Sequence, residues 1–159
     1  MAGEAQLLIA GKVPQGFLGE PVMQAQFIAV AHPDHPLQQL RRALNLSDLS
    51  GQRQIVIRDS ALGQRIDSGW LGAEQRWTVS HVATSVDMIR RGMGFAWLPA
   101  SRVAPLVKSG DLAELPLEQG SRRFSTLYLT YAEEDHCGPA TRHLAKLLIK
   151  EASAYQESF

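Results

Sequence analysis

Cysteine is nearly absent: the chain of 159 residues carries one, Cys137. A lone cysteine cannot close an internal disulfide, which fits a reducing compartment. It sits in the run EEDHCGP beside His136. Sequence neighbours seldom aim at each other, and the flanking acids disfavour a thiolate, so no nucleophilic role is expected. An excess of one charge is missing too, because lysine plus arginine and aspartate plus glutamate stand at 16 each. A domain that grips nucleic acid by itself carries a basic surplus to displace phosphate counterions. The isolated pairs Arg41-Arg42, Arg90-Arg91 and Arg122-Arg123 do not supply one and are read as solvated surface. No apolar run approaches the roughly 18 residues that span a bilayer. The start, MAGEAQ, lacks a charged leader and a cleavage pattern, so a soluble cytoplasmic protein is expected. Phosphate-loop, nucleophile-elbow and zinc-protease signatures are also missing, and no cofactor, metal or catalytic residue is assigned.

What is there is an alternation of strand and helix. Apolar residues make up 45% and charged residues 20%, a globular profile of one domain or two small lobes. AQLLIAG reads as a short buried strand, MQAQFIAVA (Met23 to Ala31) as a second and Gln54 to Arg58 as a third, after one helical turn opened by Ser47. Asp59 or Ser60 can cap a helix through ALGQRIDSGWLG. RWTVSHVA is strand-like, with Trp77, Val79 and His81 on one face. In TSVDMIRRG, Thr84 with Asp87 resembles a capping box, and Gly92 supplies a left-handed stop. FAWLP is a strand ended by Pro99; SRVAPLVKSG is a helix capped by Ser101 and stopped at Gly110, with Pro105 tolerable only near its first turn. LAELPL and STLYLTYA are strands. The last helix, GPATRHLAKLLIKEASAYQ, shows an apolar stripe of Leu144, Leu147, Leu148 and Ala152. Short connections between alternating elements predict an α/β fold on a mainly parallel sheet. Two features stand out: a first strand with no helix before it, and a final helix with no obvious sheet of its own.

The run AHPDHPLQQL places His32 and His35 three apart, but Pro33 and Pro36 exclude the regular helix that would aim both at one metal. A structural turn is the expected reading. In GMG, Gly92 to Gly94, the glycines run from helix into strand, the reverse of a dinucleotide loop, so they are read as cap and tight turn. The acids Glu133, Glu134 and Asp135 are expected to face solvent. Two strand ends meet helix starts dressed with hydroxyls, at Arg58-Asp59-Ser60 and at Val82-Ala83-Thr84-Ser85. Ligands collect outside the carboxyl ends of strands in open α/β sheets, and free N–H groups there favour anions. Read locally, these ends are equally well ordinary caps.

The order of these pieces resembles a known family. VMQAQFIAVAHPDHPL, then LSDLSGQRQIVI, VSHVATSVDMIRRGMGFAWLP, VKSGDLAELPL and STLYLTY are together similar to the effector-binding domain of LysR-type transcriptional regulators, from Gln6 to about Ala152. The resemblance implies a two-lobed fold like that of periplasmic binding proteins (type 2), closing on a small molecule. One lobe would hold residues 1–30 and 121–159, the other 31–120. It implies that the first lobe is incomplete here and that the winged helix-turn-helix is absent, so DNA would be reached only through that missing domain. His35-Pro36-Leu37 would be the corner leaving the interlobe strand. The effector pocket would be walled by Gly11, Lys12 and Val13 on one side and by Ser60 with Ser80, Val82, Ala83 and Thr84 on the other. Arg58 is the candidate for recognising a carboxylate bidentately. The effector is then expected to be a small organic acid, and the domain a homo-oligomer, a dimer. The competing readings are a small α/β enzyme, a solute-binding protein for a small organic acid, and an interaction fragment that only oligomerises.

Overall fold

The structure is a computed structural model, and it describes residues 5–58, 70–132 and 137–156. In chain order it contains β1 (Leu7–Ala10), β2 (Gly19–Ala31), α1 (Pro36–Gln39), α2 (Leu46–Ser50), β3 (Arg53–Ile57), β4 (Gln75–Val79), α3 (Val82–Arg90), β5 (Phe95–Pro99), α4 (Ala100–Ser109), β6 (Ala113–Glu114), β7 (Arg122–Tyr131) and α5 (Pro139–Gln156). The chain divides into two compact units, residues 26–123 and residues 1–25 with 124–159. Among the described residues no helix is long and apolar enough to cross a membrane.

In the unit formed by residues 26–123, the strand order is β2-β5-β3-β4, with β6 pairing β2 off this path. Strand alternation sorts its side chains onto two faces. Ile28 and Val30 of β2 join Ile55, Ala96 and Leu98 in one cluster, closed by Ile89 of α3, Val103 of α4 and Leu112. Ala29 and Ala31 turn the other way and join Leu37, Leu44, Leu49, Ala73, Phe95 and Leu115. A sheet covered on both faces needs apolar residues at successive positions, which is why FIAVA and FAWLP read as unbroken runs. Leu98, fully buried in β5, contributes about 2 kcal/mol by burial alone.

The sheet is mixed rather than mainly parallel. β3 runs parallel to β4 and to β5, while β5 and β6 pair antiparallel with β2, and β1 with β7. A continuous apolar run announces burial and carries no sign of direction, so the pattern could not distinguish the two.

Several boundaries also differ from expectation. The turn before β3 is capped by Asn45, not opened by Ser47: Asn45 Oδ1 accepts from Asp48 N at 3.0 Å and Asp48 Oδ2 accepts from Asn45 N at 2.9 Å, a reciprocal box. Helix α3 starts at Val82 with His81 as its N-cap, so Thr84 and Asp87 lie inside the helix and form no box, and His81 lies beyond β4. Helix α4 follows directly on β5 with Pro99 at its cap, which puts Ser101 within its first turn and Pro105 beyond it; Gly110 ends it at φ 84° as expected. Lacking an N–H, Pro105 leaves the Ser101 carbonyl without its helical donor, at exposed positions where water can reach. Of LAELPL only Ala113–Glu114 forms a ladder, with a single bridge between Leu44 and Leu117. The helix anticipated through ALGQRIDSGWLG falls largely outside the described residues.

In the other unit β1 pairs β7, and α5 covers a cluster of Val22, Leu129 and Ala145 with Leu7, Leu127, Tyr131, Leu148, Ile149 and Ala152 around it. The final helix therefore does have a sheet partner. Its inward stripe is rotated from the expected one, because Ala145 is fully buried while Leu144 and Leu147 are 50% and 44% exposed. β1 is not a buried strand either: Leu8 and Ile9 are 40% and 43% exposed, as suits the strand at one end of the order.

Candidate functional site

The parallel pairing of β3 with β4 fixes the geometry of the candidate site. Ile57 and Val79 are register partners, so the next residues, Arg58 and Ser80, leave the sheet side by side at its carboxyl edge. Arg58 N donates to the Val79 carbonyl at 2.7 Å, which ties the two exits together. From Ser80 the chain enters α3. Its N-cap His81 makes no side-chain cap, and the first turn closes only with Ser85 N donating to the His81 carbonyl at 3.2 Å. The N–H groups of Val82, Ala83 and Thr84 thus precede the first helical bond, at the positive end of the helix dipole. Arg58, Ser80, Ala83 and Thr84 are exposed beside them, with Val82 half-buried. Chemically the set suits an oxyanion: backbone donors, two hydroxyls and a guanidinium.

Helix α4 starts from the neighbouring strand β5, also parallel to β3 and also without a side-chain cap. Between the starts of α3 and α4 lies an open groove of about 260 Å³ lined by Ala83, Val86, Asp87, Ser101 and Arg102. Ser85 of α3 is fully buried, and its Oγ has no partner among the described residues.

Of the remaining expected site residues, Ser60 lies outside the described residues, as does Asp59. Gly11, Lys12 and Val13 belong to the other unit. There Gly11 and Lys12 are exposed, and the Val13 Cγ2 sits 2.3 Å from where a Gly19 Cβ would lie, so glycine at 19 is what lets this loop fold onto β2. The structure thus brings together Arg58, Ser80, Val82, Ala83 and Thr84.

The histidine run is a corner built by side-chain acceptors. His32 Nδ1 accepts from Asp34 N at 3.1 Å, and His35 Nδ1 accepts from Leu37 N at 3.2 Å, capping α1 with Pro36 at its first position. Burial, helped by the nearby His32, lowers the His35 pKa, so the ring is held neutral with its proton on Nε2. Among the described residues no group of three or more His, Cys, Asp or Glu could hold a metal ion. His136 and the acids Glu133 to Asp135 lie outside them.

The basic pairs are each half engaged. Arg42 meets Asp48 in a two-point contact and, with the Asn45 amide, draws the Asp48 carboxyl down to about 2. Arg90 pairs with Asp111, and Arg122 forks onto Glu114, whose pKa it lowers. Arg123 instead lies over the Trp97 ring. Trp97 belongs to an aromatic cluster with Trp70 and Phe95 that the sequence reading missed, although Phe95 and Trp97, two apart on one strand, share a face.

A family model, the LysR substrate binding domain, matches residues 3–153. No curated protein sequence matches. Among solved structures, the regulatory domain of MetR, a LysR family regulator from N. meningitidis, is 18% identical with a TM-score of 0.71, covering 96% of this chain and 72% of that one. The regulatory domain of Synechocystis CcmR, in complex with 2-PG, is 16% identical with a TM-score of 0.71, covering 94% of this chain and 74% of that one. Full-length LysG from Corynebacterium glutamicum, with bound effector Arg, is 18% identical with a TM-score of 0.66, covering 94% of this chain and 52% of that one. These likenesses give the fold, that of LysR regulatory domains and so of the two-lobed periplasmic-binding-protein type, and the family match covers nearly the whole chain: it belongs to the LysR substrate-binding domain family.

Proposed function

We propose that this domain senses a small organic anion, held by Arg58, Ser80, Val82, Ala83 and Thr84. The family is one of effector-binding domains of transcription regulators, and the comparison structures include one with 2-PG and one with Arg. Ligands of such different chemistry leave the choice to this chain's own residues. The observation that carries the anionic reading is the carboxyl edge of β3 and β4, where a guanidinium, two hydroxyls and the uncapped start of α3 stand together. Residues 1–30 with 121–159 would form one lobe and 31–120 the other, and effector binding would bias lobe closure and dimer packing. DNA would be reached through a separate domain, in the cytoplasm. No chemical step is proposed, since the set offers recognition groups and no paired nucleophile and base.

Thermal unfolding against a panel of small aliphatic and aromatic carboxylates tests this. A ligand at about a hundred times its dissociation constant stabilises the fold by roughly 2.7 kcal/mol, and Ser80→Ala, Thr84→Ala or Arg58→Gln should reduce the shift. Cooperative unfolding with no shift from any acid would leave the strand ends as ordinary helix starts.

A further inference from the structure

The arginines of residues 26–123 sort by what they hold. Arg42, Arg90 and Arg122 each pair with a carboxylate, at 2.6, 3.1 and 2.9 Å. Arg53 lies 4.0 Å over the Trp77 ring, and its terminal nitrogens donate to Gln75 Oε1 and the Met93 carbonyl. Arg123 is different. It is half-buried, its guanidinium lies 4.0 Å from the Trp97 ring centroid, and among the described residues it has no carboxylate and no hydrogen-bond acceptor. Burial works against its charge, and among the described residues no acid offsets the effect.

Glu114, the carboxylate that meets the neighbouring Arg122, is already taken. Glu114 Oε1 accepts from Ser121 Oγ at 2.8 Å and Arg122 Nε at 3.0 Å, and Oε2 accepts from Arg122 Nη2 at 2.9 Å. The platform beneath Arg123 is fixed. Trp97 Nε1 donates to the Gly120 carbonyl at 2.8 Å, and the ring is flanked by Phe95 at 5.8 Å and Trp70 at 6.1 Å between centroids. Gly120, at φ 77°, lies beside Arg123: a Cβ there would make ordinary contact with Arg123 Nε at 3.6 Å and Nη2 at 3.7 Å. Stacking engages the flat face of a guanidinium and leaves its N–H edge open in the plane, the edge that forks onto a carboxylate.

We propose that the Arg123–Trp97 pair is an anchor for the carboxylate of a small organic acid. The inference rests on the effector-binding reading above and adds Arg123 to it as a second group that reads a carboxylate. An acid with a flat apolar body gains further by lying along the indole, so aromatic carboxylates bind better than acetate.

Benzoate is the probe, followed by intrinsic tryptophan fluorescence, with acetate and sulfate titrated in parallel. Benzoate should give a saturable change that Trp97→Phe largely removes. Arg123→Gln should weaken it about tenfold or more, Arg123→Lys by less, since lysine keeps the charge and loses the fork. Lys108→Gln, at an exposed position near the end of α4, should leave it unchanged. Should Arg123→Gln not fold, the lysine variant carries the comparison. Three results overturn the proposal: no response of the unsubstituted protein to tens of millimolar benzoate, sulfate binding as well as benzoate, or undiminished benzoate binding by the Arg123 variants. If acids still raise the unfolding midpoint in a manner sensitive to Ser80→Ala while Arg123→Gln binds normally, the anchor alone is wrong. If no acid shifts the midpoint, the effector reading falls with it.

Discussion

Replacing Gly94 with alanine tests how the central strands are held. Gly94 has φ 157°, and a Cβ there would lie 2.3 Å from the Arg53 carbonyl oxygen and 3.2 Å from its carbon. Both are backbone atoms, so no rotamer change can make room. Gly94 directly precedes β5 and Arg53 opens β3, and the residues that follow them, Phe95 and Gln54, are the register partners joining the two strands. An added methyl therefore wedges apart two strands at the centre of the sheet. Backbone strain at such a φ costs about 1–3 kcal/mol, and displacing a central pairing adds a comparable amount, for about 3–5 kcal/mol in total. Gly110 is the control: its φ is 84°, but a Cβ there meets nothing within 4 Å. Gly110→Ala should cost only the left-handed penalty of about 1–2 kcal/mol. Urea unfolding of the three proteins, compared at equal slope, measures both losses. Equal losses for the two variants would refute the close approach of β3 to Gly94.

Three further predictions concern caps and charge. Asn45→Ala removes one half of the reciprocal box on α2 and should cost about 1 kcal/mol in urea unfolding, whereas Ser47→Ala should stay within about 0.5 kcal/mol. The reverse order would restore Ser47 as the opening residue. Because the Asp48 carboxyl falls from 3.8 to about 2 in the fold, its contribution is complete above pH 3.8 and is lost as pH drops toward 2; Asp48→Asn should flatten that limb of the stability curve. His35 has a folded pKa below its ordinary 6.5, so the unfolded chain takes the proton more readily. Its contribution is complete above 6.5 and declines as pH falls below that value through the folded pKa, where a proton on Nδ1 would also abolish the cap on Leu37 N. His35→Asn, which keeps a cap acceptor without titrating, should reduce the slope of stability against pH below the ordinary histidine value of 6.5. An unchanged slope would mean that the corner does not titrate with folding.

Element identity was legible wherever one physical signal dominated. FIAVA and FAWLP are apolar at successive positions because both faces of their sheet are covered, and Gly110 stops α4 because only glycine takes its left-handed φ without cost. Caps were misplaced where several polar residues competed for one role. Asn45, Ser47 and Asp48 are all good N-caps by type, and only the position of Leu46 as the first helical residue decides among them. The same competition moved the start of α3 back to His81, a residue with no capping side-chain bond, because the chain turns immediately after β4 whether or not a hydroxyl is there to cap it. The face of α5 was rotated for a different reason. Leu144, Leu147, Leu148 and Ala152 make a good stripe by hydropathy, but a fully buried alanine, Ala145, marks the closest approach to the sheet, and small residues weigh little in such a stripe.

The candidate site shows the same division between residue type and placement. Hydroxyls at strand ends are visible in any sequence, so Ser80 and Thr84 could be named from it, but their value depends on β3 and β4 being parallel and in register, which an apolar run does not reveal. Arg58 was chosen as the cation because it follows a strand, and it does lie at the carboxyl edge. Arg123 was dismissed as half of a surface pair. What separates them is placement: neither has a carboxylate partner among the described residues, but Arg58 is exposed while Arg123 is half-buried over the Trp97 ring. Arg122 consumes both oxygens of Glu114, and its neighbour, facing the other way along β7, is left on an indole with no acceptor among the described residues. A charge is informative for recognition when the fold has oriented it and denied it a partner, because the desolvation already suffered favours whatever acceptor arrives. By that criterion the stronger candidate for reading a carboxylate lies 65 residues beyond Arg58 (123 minus 58), on a strand that hydropathy marked only as structure.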